Sequence, residues 1–486
     1  MRIAGIYPQK LKVDQKIQHA VSEPYGLEMI LATGAKEGHD TDLFIPAKQE
    51  NGTVVPISEE ELIENIVEYK PDVAAFSLYT AAYPAGKRIA SKLKQKLPNI
   101  KTIAGNRYPT HLKEKIEEPF DFFVIKEGEE TFKEWLRETQ QGQHYEKVKG
   151  LVFKKDGKQI FTGVRQRNFN LDSLPNALRF PIILNQTYQG ISIPPLSTSP
   201  NYAIVESSRC CYNNCKFCDN EGFWGNRVAF RSPARVVEEM FELKEKGADI
   251  FYFMDLNMTA FPNKTLELCN EMNKQNLNAS WYCMSNTSTL DGRQDVLQAM
   301  KESGCYRIAW GVESTSDSAL EVMNKKVNNK LATNNQTTRV LQSALDTGIL
   351  NQGYYIIGFP WETQKSIVED SKNLKNMPLH QINIGIFTPI PMSRFYQEMM
   401  DTGYTLDPNL ENHDRNHLVY NHPTLTNKSI KNLQQEIYQG FYSCPQYAQR
   451  VKTTCEIEPK FVQSFKDYTQ KTLGKNININ QPAMVA

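Results

Sequence analysis

The run Val205-Glu-Ser-Ser-Arg-Cys-Cys-Tyr-Asn-Asn-Cys-Lys-Phe-Cys-Asp-Asn-Glu-Gly-Phe-Trp-Gly-Asn-Arg-Val-Ala-Phe-Arg231 gathers four of the chain's nine cysteines behind a short apolar stretch. Cys211, Cys215 and Cys218 form a C-x3-C-x2-C triplet. Thiolates suit iron–sulfur clusters and zinc. Three thiolates in one loop can hold three irons of a four-iron cluster and leave the fourth iron open to a small molecule. A structural zinc site wants four ligands and a closed shell, and no C-x2-C or H-x3-H partner stands nearby in the sequence. Cys210 shares a looser chelating spacing with Cys215 and is read as a bystander.

Composition narrows the remainder. A chain of 486 residues has about three domains as its starting expectation. Lys plus Arg number 56 and Asp plus Glu 55, so no overall charge draws the protein to nucleic acid or an anionic membrane. No apolar run reaches the length of a spanning helix, and the first residues lack a charged leader with an apolar core. Clustered cysteines in a leaderless chain point to a reducing, cytoplasmic setting with metal or core roles.

The first third alternates strand and helix. Arg2–Tyr7, Thr41–Ile45, Asp72–Leu78, Lys101–Ala104 and Asp121–Ile125 read as strands. Tyr25–Lys36, Pro84–Leu97, Thr131–Thr139 and a stretch opened by a Ser58/Glu61 capping box read as helices. This alternation predicts a doubly wound parallel sheet, with ligands beyond the carboxyl ends of its strands. Those ends are Tyr7-Pro8, Ser77–Ala81, Gly105–Tyr108 and Lys126–Glu129. A connector follows over 141–200, with a hairpin signal at Asp156-Gly157 and a Pro- and Ser-rich stretch from Pro194 to Pro200.

From 202 the alternation resumes. Tyr202–Glu206, Ile250–Met254, Ser280–Cys283, Tyr306–Trp310, Gly353–Ile357 and Ile382–Phe387 are six strands separated by helical stretches. Six units are fewer than the eight of a closed barrel, whose active sites lie at the carboxyl ends of the strands. Residues 401–486 read as helical with an Asn- and Gln-rich end. The expected boundaries are therefore 1–140, 141–200, 201–400 and 401–486.

The cysteine triplet, with the aromatic Phe217 before its last member, resembles the signature of radical S-adenosylmethionine (SAM) enzymes. The first third resembles the cobalamin-binding domain of one subgroup of that family, in Pro24–Leu27, Asp72–Ser77, Ala104–Thr110 and Glu127-Gly-Glu129 ahead of Thr131-Phe132. The resemblance implies an α/β fold: an N-terminal doubly wound, Rossmann-like cobalamin-binding domain, a partial (β/α)6 TIM-like barrel and a helical C-terminal region. It assigns Cys211, Cys215 and Cys218 to a 4Fe-4S cluster. Beside SAM it places Phe217, Asp255 for the amino group, Ser285 for the carboxylate and Glu313, in Gly311-Val-Glu-Ser314, for the ribose. Ser77, Thr80, Gly105, Asn106, Glu127 and Gly128 become candidate cobalamin contacts, without a lower-ligand histidine.

Four departures stand out. Gly105-Asn106 replaces a pair of glycines, and Lys126 replaces a glycine. No Arg follows Ser285, and Met392-Ser393 stands where relatives carry Gly-Thr.

The function implied is a cobalamin-dependent C-methyltransferase working through a 5′-deoxyadenosyl radical at an unactivated carbon. An external electron donor such as flavodoxin or ferredoxin would serve it, and a small or lipid-like molecule would be its substrate. Phe223, Trp224, Tyr354 and Tyr355 are candidate pocket aromatics. Radical cyclisation, rearrangement or group transfer is the alternative enzyme reading; a zinc-binding scaffold without catalysis is the alternative of another class. No histidine reads as a general base. His413, His417 and His422 lie close together in polar surroundings and are not read as a metal site.

Overall fold

The computed structural model describes residues 1–8, 23–50, 53–113, 115–180, 202–248, 250–327, 330–457, 461–463 and 465–466. The Pro194–Pro200 linker and the Asn- and Gln-rich end expected from the sequence fall outside these residues. No helix among them is long and apolar enough to cross a membrane.

In chain order the first strands are β1 (Arg2–Ile6), β2 (Asp40–Phe44), the small hairpin β3 (Ala47–Glu50) and β4 (Thr53–Pro56), β5 (Val73–Ser77), β6 (Lys101–Gly105), β7 (Phe122–Val124), β8 (Leu151–Lys155) and β9 (Lys158–Phe161). Seven of them form one sheet in the order β2-β1-β5-β6-β7-β8-β9. The β2 to β7 part is parallel. A strand such as Val73-Ala-Ala-Phe-Ser77, buried at every position, must be covered on both faces. Leu27, Leu31, Phe132 and Trp135 of helices Tyr25–Lys36 and Glu129–Gln141 cover one face. Leu62, Ile66, Ile89 and Leu93 of helices Glu59–Tyr69 and Tyr83–Lys96 cover the other. The Ser58 hydroxyl accepts from the Glu61 amide at 3.1 Å and caps the second helix.

The hairpin of the connector lengthens this sheet, with β8 antiparallel to β7 and β9 antiparallel to β8. Its turn is Asp156-Gly157, both at positive φ (51° and 74°), as a two-residue hairpin loop demands. Phe153 joins Phe122 and Tyr145 in an aromatic cluster, so the hairpin shares the core of the sheet.

The second sheet uses β10 (Tyr202–Val205), β13 (Ile250–Phe253), β14 (Ser280–Ser285), β15 (Cys305–Glu313), β18 (Leu350–Ile357) and β19 (Gln381–Ile386), in that order. All its pairings are parallel. Small ribbons β11 (Ser208–Arg209) with β12 (Ala229–Phe230) and β16 (Lys326–Val327) with β17 (Lys330–Leu331) sit apart. β15 runs three residues past Trp310, the end expected from sequence, because it stays paired to β18 across a bulge at Gly311/Glu313. Glu313 is thereby a strand residue and not a loop residue.

A six-strand barrel that does not close exposes two edges with bare backbone groups. At β19, helix Asn427–Tyr442 lies along the edge. Tyr442 and Tyr438 take the Ile382 and Ile384 amides at 3.0 and 2.8 Å, and Gln434 donates to the Ile384 carbonyl at 2.7 Å. Their i, i+4, i+8 spacing puts all three on one helix face. At β10, Glu23 accepts from the Ile204 amide at 3.0 Å and Arg179 donates to the Ile204 carbonyl at 2.6 Å. Arg179 is also ion-paired with Glu23, Glu28 and Glu239, all buried. This cluster joins the first domain to the barrel, because Glu28 belongs to helix Tyr25–Lys36 and Glu239 to helix Pro233–Glu245.

Candidate active site

The cysteine loop leaves the carboxyl end of β10 through β11 and re-enters helix Asn220–Trp224. Hydrogen bonds pin it from three sides. The Lys216 amide donates to the Met323 carbonyl at 2.9 Å, and the Lys216 carbonyl accepts from the Phe395 amide at 2.9 Å. Asn324 donates to the Asn214 carbonyl at 2.9 Å, and Asn220 to the Cys211 carbonyl at 2.6 Å. Phe217 packs on the barrel core.

All nine cysteines are free thiols. Burial pushes Cys211 and Cys215 up to about 11 and Cys218 up to about 12. The three also raise one another: Cys218 acts on Cys211, Cys211 on Cys215 and Cys215 on Cys218. Such thiols stay protonated until a metal supplies the compensating charge. They are near enough to interact, yet among the described residues no three His, Cys, Asp or Glu side chains could hold one metal ion. Cys210, at φ 86°, is buried and turns its Sγ to the Gly225 carbonyl at 3.3 Å and to the Cys211 carbonyl at 3.4 Å.

Glu313 ends β15 at φ 63°, an uncommon backbone state for a non-glycine residue. Its carboxylate accepts from Lys325 Nζ at 2.7 Å, and both side chains are buried. Burial lowers the pKa of Lys325. Glu313, Cys215 and Cys211 more than offset this and leave the pKa above its ordinary value. Gly311 makes room for the pair: a Cβ there would lie 2.5 Å from Glu313 Oε1 and 2.7 Å from Lys325 Nζ.

Asp255 accepts from the Ser207 amide at 2.9 Å and from the hydroxyls of Ser207 and Ser208 at 2.6 and 2.5 Å. It organises the turn that launches the cysteine loop. Ser285 accepts from Thr259 Oγ1 at 3.0 Å. Asn257, in the turn after β13, has a buried Nδ2 with no hydrogen-bond partner among the described residues. An orphaned buried donor just past a strand, a carboxylate with a cation and three free thiols are a donor set that fits a cluster with SAM.

The first sheet aims its own carboxyl edge at this loop. Asn106 donates to Ser77 Oγ at 2.9 Å and accepts from the Arg107 amide at 2.8 Å. Arg107 pairs with Asp219, next to Cys218, at 2.9 Å and lies over the Phe223 ring. Glu127 takes Arg167 at 2.9 Å and Arg209 at 3.5 Å. Trp224 lies beneath those two guanidinium groups. Burial, and second the attraction of Arg167, act on Glu127 in opposite senses, and its pKa ends raised.

Gly105 closes β6, and a Cβ there would meet Val124 at an ordinary 3.6 Å. Gly128 caps helix Glu129–Gln141 and faces inward, where a Cβ would approach Ile30 to 2.9 Å. Thr80 opens a short 3₁₀ turn after β5 and, with Tyr108, lines a cavity of 460 Å³ at this edge. A cavity walled by threonine hydroxyls and tyrosine rings suits part of a large cofactor. Tyr355 is buried in the barrel core.

Lys325 and Arg107 escaped the sequence reading. The missing Arg after Ser285 was the available signal for a substitute cation. Arg107 follows directly on Asn106.

An open barrel with a three-thiol loop, met edge to edge by a doubly wound domain, defines an iron–sulfur enzyme with a second cofactor domain. The comparisons agree. The B12 binding domain model matches residues 19–136, and the Radical SAM superfamily model matches residues 205–374. The barrel thus carries the Radical SAM match and the first sheet the B12-binding match. It is similar to an uncharacterized methyltransferase of Pyrococcus horikoshii, 26% identical, over 92% of this chain and 93% of the relative. It is also 26% identical to the anaerobic magnesium-protoporphyrin IX monomethyl ester cyclase of Rubrivivax gelatinosus, over 82% of this chain and 70% of that one. Among solved structures, the radical SAM methyltransferase TsrM of Kitasatospora setae shares the fold at TM-score 0.65 and 14% identity, covering 84% of this chain and 80% of its own.

Proposed function

We propose that the chain is a cobalamin-dependent radical SAM methyltransferase acting at an unactivated carbon of a small molecule. The observation that carries this reading is the Arg107–Asp219 pair, which ties the residue after Asn106 to the residue after Cys218 at 2.9 Å. When bound, the cluster with SAM supplies a hydrogen-abstracting radical and the cobalamin carries a methyl group. The chain's own residues bind, orient and shield. Cys211, Cys215 and Cys218 would hold three irons. Glu313 would accept from the ribose hydroxyls, and Lys325 would face the SAM carboxylate in place of the missing Arg. Phe217 would wall the SAM site. Asp255 would fix the loop, with Asn257 and Ser285 beside the amino acid end of SAM. Ser77, Thr80, Gly105 and Asn106 would meet the cobalamin, with Glu127 and Gly128 setting the path of the backbone behind them. An external one-electron donor of the flavodoxin or ferredoxin kind would reduce the cluster.

The likeness to the cyclase favours a second reading, ring closure with the same cofactors. Product analysis separates the two. The enzyme, loaded anaerobically with cluster and cobalamin and turning over, should release S-adenosylhomocysteine together with 5′-deoxyadenosine. Production of 5′-deoxyadenosine with no S-adenosylhomocysteine would overturn methylation in favour of cyclisation.

A further inference from the structure

The 460 Å³ cavity has two walls from distant parts of the chain. Thr80 and Tyr108 come from the short helical turns that follow β5 and β6, while Tyr396, Tyr404 and His413 come from the segment that leaves the barrel. The walls are held together without any ligand. The His111 ring lies 5.8 Å from that of Tyr108 and 5.5 Å from that of Tyr396, and Arg88 pairs with Glu411 at 2.8 Å.

His413 is 8% exposed. Its Nε2 lies 2.9 Å from the Asp407 carbonyl, an oxygen that can only accept. Nε2 therefore carries a proton, and on the neutral ring Nδ1 is a bare acceptor. That Nδ1 is buried and has no hydrogen-bond partner among the described residues. A buried acceptor without a donor is costly, and a bound group that brings an N–H removes the cost.

We propose that the segment from Pro391 to His413 supplies the second wall of the cobalamin site, with His413 Nδ1 accepting a hydrogen bond from a carboxamide on the rim of the corrin. The inference rests on the cobalamin reading above, and it gives a role to a region outside both matched domains. A corrin ring bears amide side chains around its edge, so it offers N–H donors where Nδ1 needs one. The cavity admits part of such a ligand, with its remainder over the strand ends.

The test titrates the full-length, cluster-loaded chain with hydroxocobalamin under anaerobic conditions. It reads the dissociation constant by ultrafiltration, the optical spectrum of the bound cofactor and the unfolding midpoint without cobalamin. His413→Phe keeps the volume and removes the acceptor; His413→Asn puts an amide oxygen near the place of Nδ1. The expected result is about tenfold weaker binding for His413→Phe, with most of the loss recovered in His413→Asn. Wild-type affinity in His413→Phe, or an equal loss in both variants, overturns the acceptor role. If His413→Phe does not fold, Met400→Trp decides the matter by narrowing the same cavity from an exposed helix position. Weaker binding then supports the second wall and unchanged binding overturns it. A wild-type chain that binds no cobalamin overturns the cobalamin reading and this inference together. A wild type that binds, beside variants that bind equally well, overturns this inference alone.

Discussion

At the barrel mouth, Cys211, Cys215, Cys218 and Glu313 stand in local sequence that follows the pattern of the family. Across from them, the edge of the first sheet puts Asn106 and Lys126 where glycines are expected. Both sit at positive φ, 84° and 67°. Asn106, with ψ −159°, occupies a region that glycine almost alone visits. Met392, a third replacement, has φ 73° and packs where Gly222 leaves room for it. Glycine offers an unusual backbone path and an absent side chain, and these can be separated. In this chain the path is kept and the space is filled. The mouth keeps the cysteines and Glu313, while the replaced glycines, two at the sheet edge and one after β19, keep a backbone course and vary what projects from it.

The largest effect that would break this contrast is at the mouth. Replacing Cys211, Cys215 and Cys218 together by Ala should abolish iron binding and 5′-deoxyadenosine formation, read by iron analysis and product assay. Retained cleavage of SAM would place the chemistry elsewhere. Lys325→Met leaves Glu313 buried and unpaired and should cost roughly 3–5 kcal/mol, measured by denaturant unfolding of the metal-free chain. The double change with Glu313→Gln should recover part of it.

The contrast can also be sharpened by acidity. Glu362, in the loop after β18, accepts from the Gly358 and Phe359 amides at 2.6 and 2.8 Å, and burial pushes it up to about 7 from 4.5. Its folded pKa lies above its unfolded one. Its contribution is therefore complete below pH 4.5 and lost as pH rises to 7, on the order of 3 kcal/mol. Glu362→Gln should remove that part of the slope in a pH series of unfolding curves; an unaltered slope would show that the group ionises normally. Glu313→Gln alone should weaken SAM binding about tenfold with iron content unchanged, and calorimetry under anaerobic conditions reads it. Smallest is the strain at the sheet edge. Asn106→Gly should be about 1 kcal/mol more stable than Asn106→Ala, since both lose the side-chain bonds and the glycine alone relieves the backbone. Equal stability would mean the path relaxes freely.

Much of the architecture could be read from local signals. Strand–helix alternation announced both sheets, and the C-x3-C-x2-C loop with Gly311-Val-Glu-Ser314 announced the mouth. What stayed hidden depends on pairings between distant residues. Nothing local to Leu151–Phe161 says that it adds to the sheet of β7. Lys325 reads as one of several lysines until the bulge at Gly311 brings Glu313 to it. Asp255 lies at the expected strand end, yet its oxygens are engaged by Ser207 and Ser208. His413 sits in an Asn-rich stretch, and its bare nitrogen is apparent once the Asp407 carbonyl fixes the tautomer.

The two open edges of the barrel have a consequence for how the chain is made. Glu23, which covers Ile204 at β10, leaves the ribosome well before the barrel strands, so that flank meets its cover at once. The tyrosines that shield β19 emerge some fifty residues after it, a delay of several seconds at ordinary elongation rates. During that interval the nascent barrel presents one bare strand, the place where a chaperone would be needed most.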